Sequence, residues 1–426
     1  MGSISGQFTN TPVPGADKYY PLNDPLIGTP LPENAYPQNA KIPLLFKPLT
    51  LRGHTFKNRI WVSPMCQYSS DNGHATDWHL VHIGGFATRG VGAICMEATA
   101  VTPEGRISPQ DAGLWTDSQI DPLKRIVNFV HAQGASIGVQ LSHAGRKAST
   151  YAPWVHLPAS KARRATQWTA EENEDGWPDD VIAPSNIAYA DGYPLPKEMS
   201  KEDLQRVEEA FVAAADRAKK TGFDFLEIHA AHGYLLHNFV SPVSNTRSDI
   251  YGGSLDNRLR YPLKIVGRVR KAWADKPLFV RISATEWAEF PEHEHGEWKQ
   301  WGIKQSKIYV GELKKLGVDL VDCSTGGNWS KQKIPLSPGY QVPFAAELKK
   351  THPDIPIASV GLITEPKQAE SYLQEGKADA VFLARELIRD PNFALRAAAE
   401  LEVAIKPADQ YERAWMHVLT PKHPEQ

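Results

Sequence analysis

With 426 residues the chain exceeds the ~250 of a typical eight-unit α/β barrel, which leaves room for one large domain with extensions or for two domains. Its 47 Lys and Arg against 49 Asp and Glu give a formal net charge of −2 with no dense basic block, so nucleic acid and membrane surfaces are disfavoured and a small-molecule partner is expected. Cys66, Cys95 and Cys323 lie far apart with no C-x-x-C pair to hold zinc or an iron–sulfur cluster, and no signal peptide or long apolar run is evident, so a soluble, cytoplasmic protein is expected.

Residues 1–40 are rich in Pro, Gly, Asn and Thr with little periodicity, which predicts an extended arm, with Tyr19 and Tyr20 packing along the body. Residues 41–58 alternate apolar and polar around Arg52-Gly53, a hairpin pattern suited to closing one end of a barrel. From Arg59 onward, strand patterns alternate with helix patterns, which argues for a parallel sheet with right-handed crossovers. The expected strands are 59–64, 93–98, 136–141, 223–228, 278–282, 320–324, 356–360 and 380–384, and eight such units predict a closed (β/α)8 TIM barrel. Helices are expected at 78–89, 120–133, 201–221, 256–274, 304–316, 343–350, 366–375 and 392–401. This divides the chain into an arm (1–40), a barrel (41–403) and a tail (404–426). Between the third and fourth strands, residues 161–180 are strongly charged and read as a solvated loop, with Trp168 and Trp177 as candidates for a lid.

The reactive groups of such a barrel gather at the C-terminal ends of its strands. Those ends carry Ser63-Pro64-Met65-Cys66-Gln67-Tyr68, then Glu97-Ala98-Thr99, then Gln140, Ser142 and His143, then His229 and His232, then Arg281, Ser324, Gly326, Gly327, Gly361 and finally Ala384-Arg385. Gly361 and Arg385 suit a phosphate, because glycine exposes backbone N–H groups and the loops after strands seven and eight often bind one. A buried Arg281 requires an anion, and Gln140 can both donate and accept.

After Gly222 an apolar run ends in His229, His232 and Tyr234, at i, i+3 and i+5, so that two imidazoles and a phenol can converge to bind an anionic oxygen and deliver a proton. A long polar loop from Asn238 to Arg258 follows and closes on a helix whose N-cap is Ser254. Within it stand Ser241-Pro242, Asn245, Arg247, Asp249, Tyr251-Gly252-Gly253-Ser254 and Asn257-Arg258, and this spacing resembles the loop of the Old Yellow Enzyme family of flavin-dependent ene reductases. The resemblance extends over nearly all of the chain apart from the arm and the last residues. It implies FMN surrounded by Ser63, Pro64, Met65, Cys66, Ala98, Gln140, Arg281, Gly361, Ala384 and Arg385, with Arg281 facing the N1–C2=O edge of the ring. It also implies that His229 and His232 hold the carbonyl or nitro oxygen of an activated alkene, that Tyr234 is the proton donor, and that NADPH or NADH is the hydride source.

Cys66, where the yeast enzymes of the family carry threonine, and a His-His pair in place of His-Asn resemble the thermophilic-like subclass. That subclass implies flavin tuning by Cys66, substrate contact by Tyr68, and a homodimer or higher even oligomer in which Arg413 reaches the neighbouring subunit's site; residues beyond Trp415 depart from the subclass pattern. A metal-dependent hydrolase built on His229, His232, His143 and Asp224 is the rival reading, disfavoured because no H-x-H pair ends the first strand. A flavin-binding barrel with a redox-responsive or isomerase-like role is a third.

Overall fold

Eight parallel strands close on themselves in this computed structural model, which describes residues 25–155 and 168–419. They are β1 (Ile60–Val62), β2 (Ala93–Ala100), β3 (Ser136–Ser142), β4 (Phe225–Ala230), β5 (Leu278–Ser283), β6 (Leu320–Ser324), β7 (Ile357–Ser359) and β8 (Ala380–Leu383), with β8 pairing back onto β1. Each coincides with an expected strand. The helices of the outer ring follow: α1 (Asp77–Ala87), α2 (Ile120–Ala132), α3 (Lys201–Thr221), α4 (Leu235–Val240), α5 (Leu255–Ala272), α6 (Ile303–Lys315), α7 (Val342–Thr351), α8 (Pro366–Gln374), α9 (Arg385–Arg389) and α10 (Phe393–Glu400); α11 (Glu412–Leu419) ends the described chain. The fold is therefore the expected α/β TIM barrel.

The strands read as unbroken apolar runs because both of their faces are buried. Outward residues such as Ile60, Val62, Ile94 and Ile228 pack under the helices, while inward ones form a separate cluster of Trp61, Cys95, Phe225, Phe279, Leu320 and Phe382. Into that cluster the hairpin Leu49–Leu51/His54–Phe56 inserts Leu51 and Phe56, plugging the N-terminal end as its pattern predicted. Phe56 is fully buried, its ring 4.7 Å from that of Trp61, so truncation to Ala is worth about 3–5 kcal/mol.

Side chains alternate along a strand, so two residues further on the same inward column reappears nearer the C-terminal end. There its chemistry changes: Ser63, Gln140, Glu227, Arg281 and Asp322 replace the aromatic floor, and His229, Ser283 and Ser324 lie one step higher. The barrel is thus an apolar plug beneath a charged level beneath a polar mouth.

Ser254 caps α5 as expected, its side chain accepting from the Asn257 N–H. In contrast, the segment expected to be polar loop from Asn238 begins inside α4, because Leu235, Leu236, Phe239 and Val240 bury an apolar face that anchors it. Near both expected domain boundaries, Gly28 and Leu31 donate backbone N–H groups to Lys406 and Ala404. Tyr19, Tyr20 and residues 161–167 of the charged insertion lie outside the described residues.

Candidate active site

Arg281 occupies the centre of the charged level. Its Nε donates to Asp322 Oδ2 at 2.6 Å, a terminal N–H donates to Ser63 Oγ at 2.8 Å, and Glu227 Oε1 lies 3.5 Å from Nε. Gln140 Nε2 donates to Glu227 Oε1 at 2.7 Å. Arg281 thus has carboxylate partners, and it also lines a cavity of about 250 Å³ above them, bordered by Ser63, His232, Ser324, Gly361 and Arg385.

At the far wall of that cavity Gly361 has φ +115°, and a Cβ there would stand 2.6 Å from Gln341 Nε2. Gln341 has little freedom to yield: its Nε2 donates to Val360 O at 2.9 Å and its Oε1 accepts from Thr325 Oγ1 at 2.6 Å and Ser324 Oγ at 3.2 Å. Arg385 and Arg389 border the same space, so a bare backbone faces two guanidinium groups, a cradle suited to a phosphate. Gln341, Tyr340 and Arg389 had not been singled out from the sequence, where they belong to no motif.

His229 is 4% exposed and edge-on to both neighbours, with ring centroids 5.2 Å from His232 and 4.8 Å from Tyr234. The Ala231 N–H donates to its Nδ1 at 3.3 Å, which places the ring proton on Nε2. Burial, reinforced by His232 and Arg281, pushes its pKa well below the usual value, so the ring is a neutral donor. His232 has φ +59°, a left-handed turn that re-aims the chain at the end of β4. Its N–H donates to Ser283 Oγ at 2.9 Å, and its Nε2 lies 2.7 Å from Ser324 Oγ. Because Ser324 donates to Gln341, His232 donates to Ser324 and carries its proton on Nε2 as well. Burial holds its pKa at about 3.

Lys147 holds that turn in place. Its ammonium donates to His232 O at 2.8 Å and to Gly327 O, and lies 4.0 Å from the Tyr189 ring centroid. Burial brings its pKa down to about 7. No sequence pattern marked Lys147, because its partners are carbonyls on two distant loops.

Tyr234, Cys66, Tyr68 and Trp177 pack around Ile107, Ala144, Ala148 and Val181, a cluster on the other side of His229 that does not itself line the cavity. Burial pushes the Tyr234 hydroxyl, the Tyr68 hydroxyl and the Cys66 thiol all upward, so each stays protonated at neutral pH. Met65 packs against the main core, and Ala98 follows a register slip in β2 and directs its N–H toward the Cys66 sulfur. Trp177 is anchored, its indole N–H on Glu104 O at 2.9 Å and its ring 4.5 Å from Arg106, whereas Trp168 stacks on Tyr193.

The loop that carried the family resemblance is a brace behind the histidines. Asn245 donates to Phe239 O and Tyr251 O, Arg247 to Pro184 O, Met199 O and Asp249, and Arg258 to Val240 O and Gln305. These residues hold the C-terminal end of α4, the helix whose N-cap is Tyr234. Asp224 lies at the opposite end of β4, bonded to His131 and the Ile137 N–H, so it does not join His143, His229 and His232 in a ligand set. Arg413 is exposed on α11 and does not line the cavity.

Residues 44–403 match the profile of the NADH:flavin oxidoreductase / NADH oxidase family. The chain is 45% identical over 409 residues to an NADH:flavin oxidoreductase of Gibberella zeae, covering 95% of each. It is also 45% identical over 374 residues to an NADPH dehydrogenase of Geobacillus thermodenitrificans, covering 87% of this chain and 98% of that one. The fold is similar to that of morphinone reductase, with a TM-score of 0.66 at 24% identity over 90% of this chain and 94% of the other.

Proposed function

This chain belongs to the NADH:flavin oxidoreductase, or Old Yellow Enzyme, family and is an NAD(P)H-dependent flavin oxidoreductase; from that premise we propose that it is an FMN-dependent ene reductase of the thermophilic-like kind. The residues present fit FMN. Gly361 leaves its backbone bare in the cavity that Arg385 also lines, where a Cβ would collide with Gln341 and Tyr340, and Arg281 reaches the cavity with a buried positive charge. Ser63, Pro64, Met65, Cys66, Ala98, Gln140, Arg281, Gly361, Ala384 and Arg385 would hold the group. The chemistry that FMN held there would supply is hydride transfer, from NADPH or NADH to the β-carbon of an α,β-unsaturated aldehyde, ketone, imide or nitroalkene.

The chain's own residues prepare the alkene. His229 presents its Nε2–H to the carbonyl or nitro oxygen, and His232 turns its Nε2–H from Ser324 to the same atom. Two neutral donors in a water-poor pocket draw electron density off the double bond without placing a formal cation there. Tyr234, held protonated by burial and edge-on to His229, delivers its proton to the α-carbon. Cys66 stays a thiol against the flavin, Tyr68 contacts the substrate, and Arg413 reaches the site of a neighbouring copy in a homodimer or higher even oligomer.

The observation that carries this reading is the pair of Nε2–H tautomers, His232 lining the cavity that Arg281 lines and His229 packed edge-on between His232 and Tyr234. Isotope labelling tests it. With 4-deuterated NADPH and 2-cyclohexenone under argon, the product should carry nicotinamide deuterium at Cβ, and in D₂O solvent deuterium at Cα. Absence of alkene-dependent NADPH oxidation, or nicotinamide label at Cα, would overturn it.

A further inference from the structure

Among the described residues, two carboxyl oxygens in the charged level receive no hydrogen bond: Glu227 Oε2 and Asp322 Oδ1. Both residues are 0% exposed, where an unmatched carboxylate oxygen is costly. They project inward from β4 and β6, alternate strands whose side chains share a layer of such a barrel, and they flank Arg281 of β5. Their other oxygens are occupied, Oε1 by Gln140 and Oδ2 by Arg281. A single guanidinium therefore serves two carboxyls.

From this geometry we infer that Glu227 and Asp322 share one proton between their unpartnered oxygens, forming an acid–carboxylate pair that keeps the Arg281 cluster electrically neutral beneath the flavin. With the proton in place, one negative charge balances the guanidinium; without it the cluster is net negative, and it opposes the negative charge that the flavin gains on reduction. Burial raises the affinity of both groups for the proton, bringing Glu227 to about 8 and raising Asp322 as well. The charged and titratable groups around the pair are Arg281 of β5, Cys95 of β2 and Cys323 of β6, with His229 and His232 above; Gln140 and Ser63 complete the ring. Glu227 and Asp322 are positioning residues, acting on the flavin through Arg281.

The effect on the flavin rests on the proposed FMN reading; the shared proton does not. Two measurements separate them. In the infrared spectrum of flavin-free protein at neutral pH, wild type should show the carbonyl stretch of a protonated buried carboxylic acid, and the wild-type minus Glu227→Gln difference should isolate the pair's share of it from that of the buried Asp111. In the flavin-loaded protein, a plot of flavin midpoint potential against pH should break near pH 8, above which reduction takes up one further proton from solvent per two electrons. In Glu227→Gln, whose amide donates permanently to Asp322, the break should vanish while the two plots coincide at lower pH. A wild type without the infrared band overturns the shared proton whether or not the variant folds. A break that persists in Glu227→Gln overturns the pair's action on the flavin. Failure to bind FMN would instead overturn the flavin reading and leave the infrared result standing.

Discussion

Removing one oxygen atom, in Tyr234→Phe, should separate the two halves of the reaction. The ring stays: it packs against Ile107, Ala144, Ala148 and Val181 and lies edge-on to His229 at 4.8 Å, contacts that phenylalanine retains. The backbone of Tyr234 still opens α4, and the loop brace that positions it is untouched. Only the acid is lost, and positioned general acids contribute about 10²–10⁴-fold, or roughly 3–5 kcal/mol of barrel-site transition-state stabilisation. Anaerobic stopped-flow resolves the steps: flavin bleaching by NADPH should change by less than about threefold, while reoxidation by 2-cyclohexenone slows by the full factor. Because burial keeps the hydroxyl protonated well above its ordinary range, the wild-type reoxidation rate should show no loss from Tyr234 ionisation up to about pH 10. Equal slowing of both half-reactions in Tyr234→Phe would refute the proton-donor role.

Three further outcomes follow from the geometry. Gly361→Ala places a Cβ 2.6 Å from Gln341 Nε2 at φ +115°, so FMN affinity, followed by quenching of FMN fluorescence, should fall at least about fivefold given a strain of about 1–3 kcal/mol; unchanged affinity would remove the phosphate cradle. His143, His229, His232 and His237 are buried with pKa values below 6.5, His143 at about 4 and His232 at about 3. Their depressed values mean that the unfolded chain binds protons the folded one refuses, so their contribution is whole above about pH 6.5 and is lost as pH falls toward 4 and 3. The melting temperature should therefore drop steeply across that window, and a flat profile would contradict neutral imidazoles. Arg413→Ala, in a protein confirmed as an oligomer, should raise the KM for the alkene without changing flavin content, and unchanged turnover and affinity would exclude a role in trans.

The barrel was legible because burial on both faces writes each strand as a short apolar run, and turns and helices space those runs regularly. Ser254 and the hairpin around Arg52-Gly53 were legible for the same reason: cap and turn chemistry is local in sequence. What sequence could not display is cross-strand partnership. Glu227 reads as one polar residue in a buried strand, and only closure of the barrel sets it beside Asp322 and Arg281. Lys147 and Gln341 escaped notice likewise, since the carbonyls and hydroxyls they bind lie on loops far away in the chain. The loop from Ser241 to Arg258 carried the strongest resemblance, yet its hydrogen bonds go to backbone groups that support the site. Its fixed residues signalled a scaffold, and the chemistry lies in the few side chains the scaffold aims.

The most direct test of the central claim is one anaerobic cuvette of the purified, FMN-loaded protein watched in the visible range. Addition of NADPH should bleach the flavin bands, and subsequent addition of 2-cyclohexenone or N-methylmaleimide should restore them stoichiometrically. A protein that stays colourless after FMN is supplied, or whose bleached flavin is not restored by any activated alkene, would contradict the account.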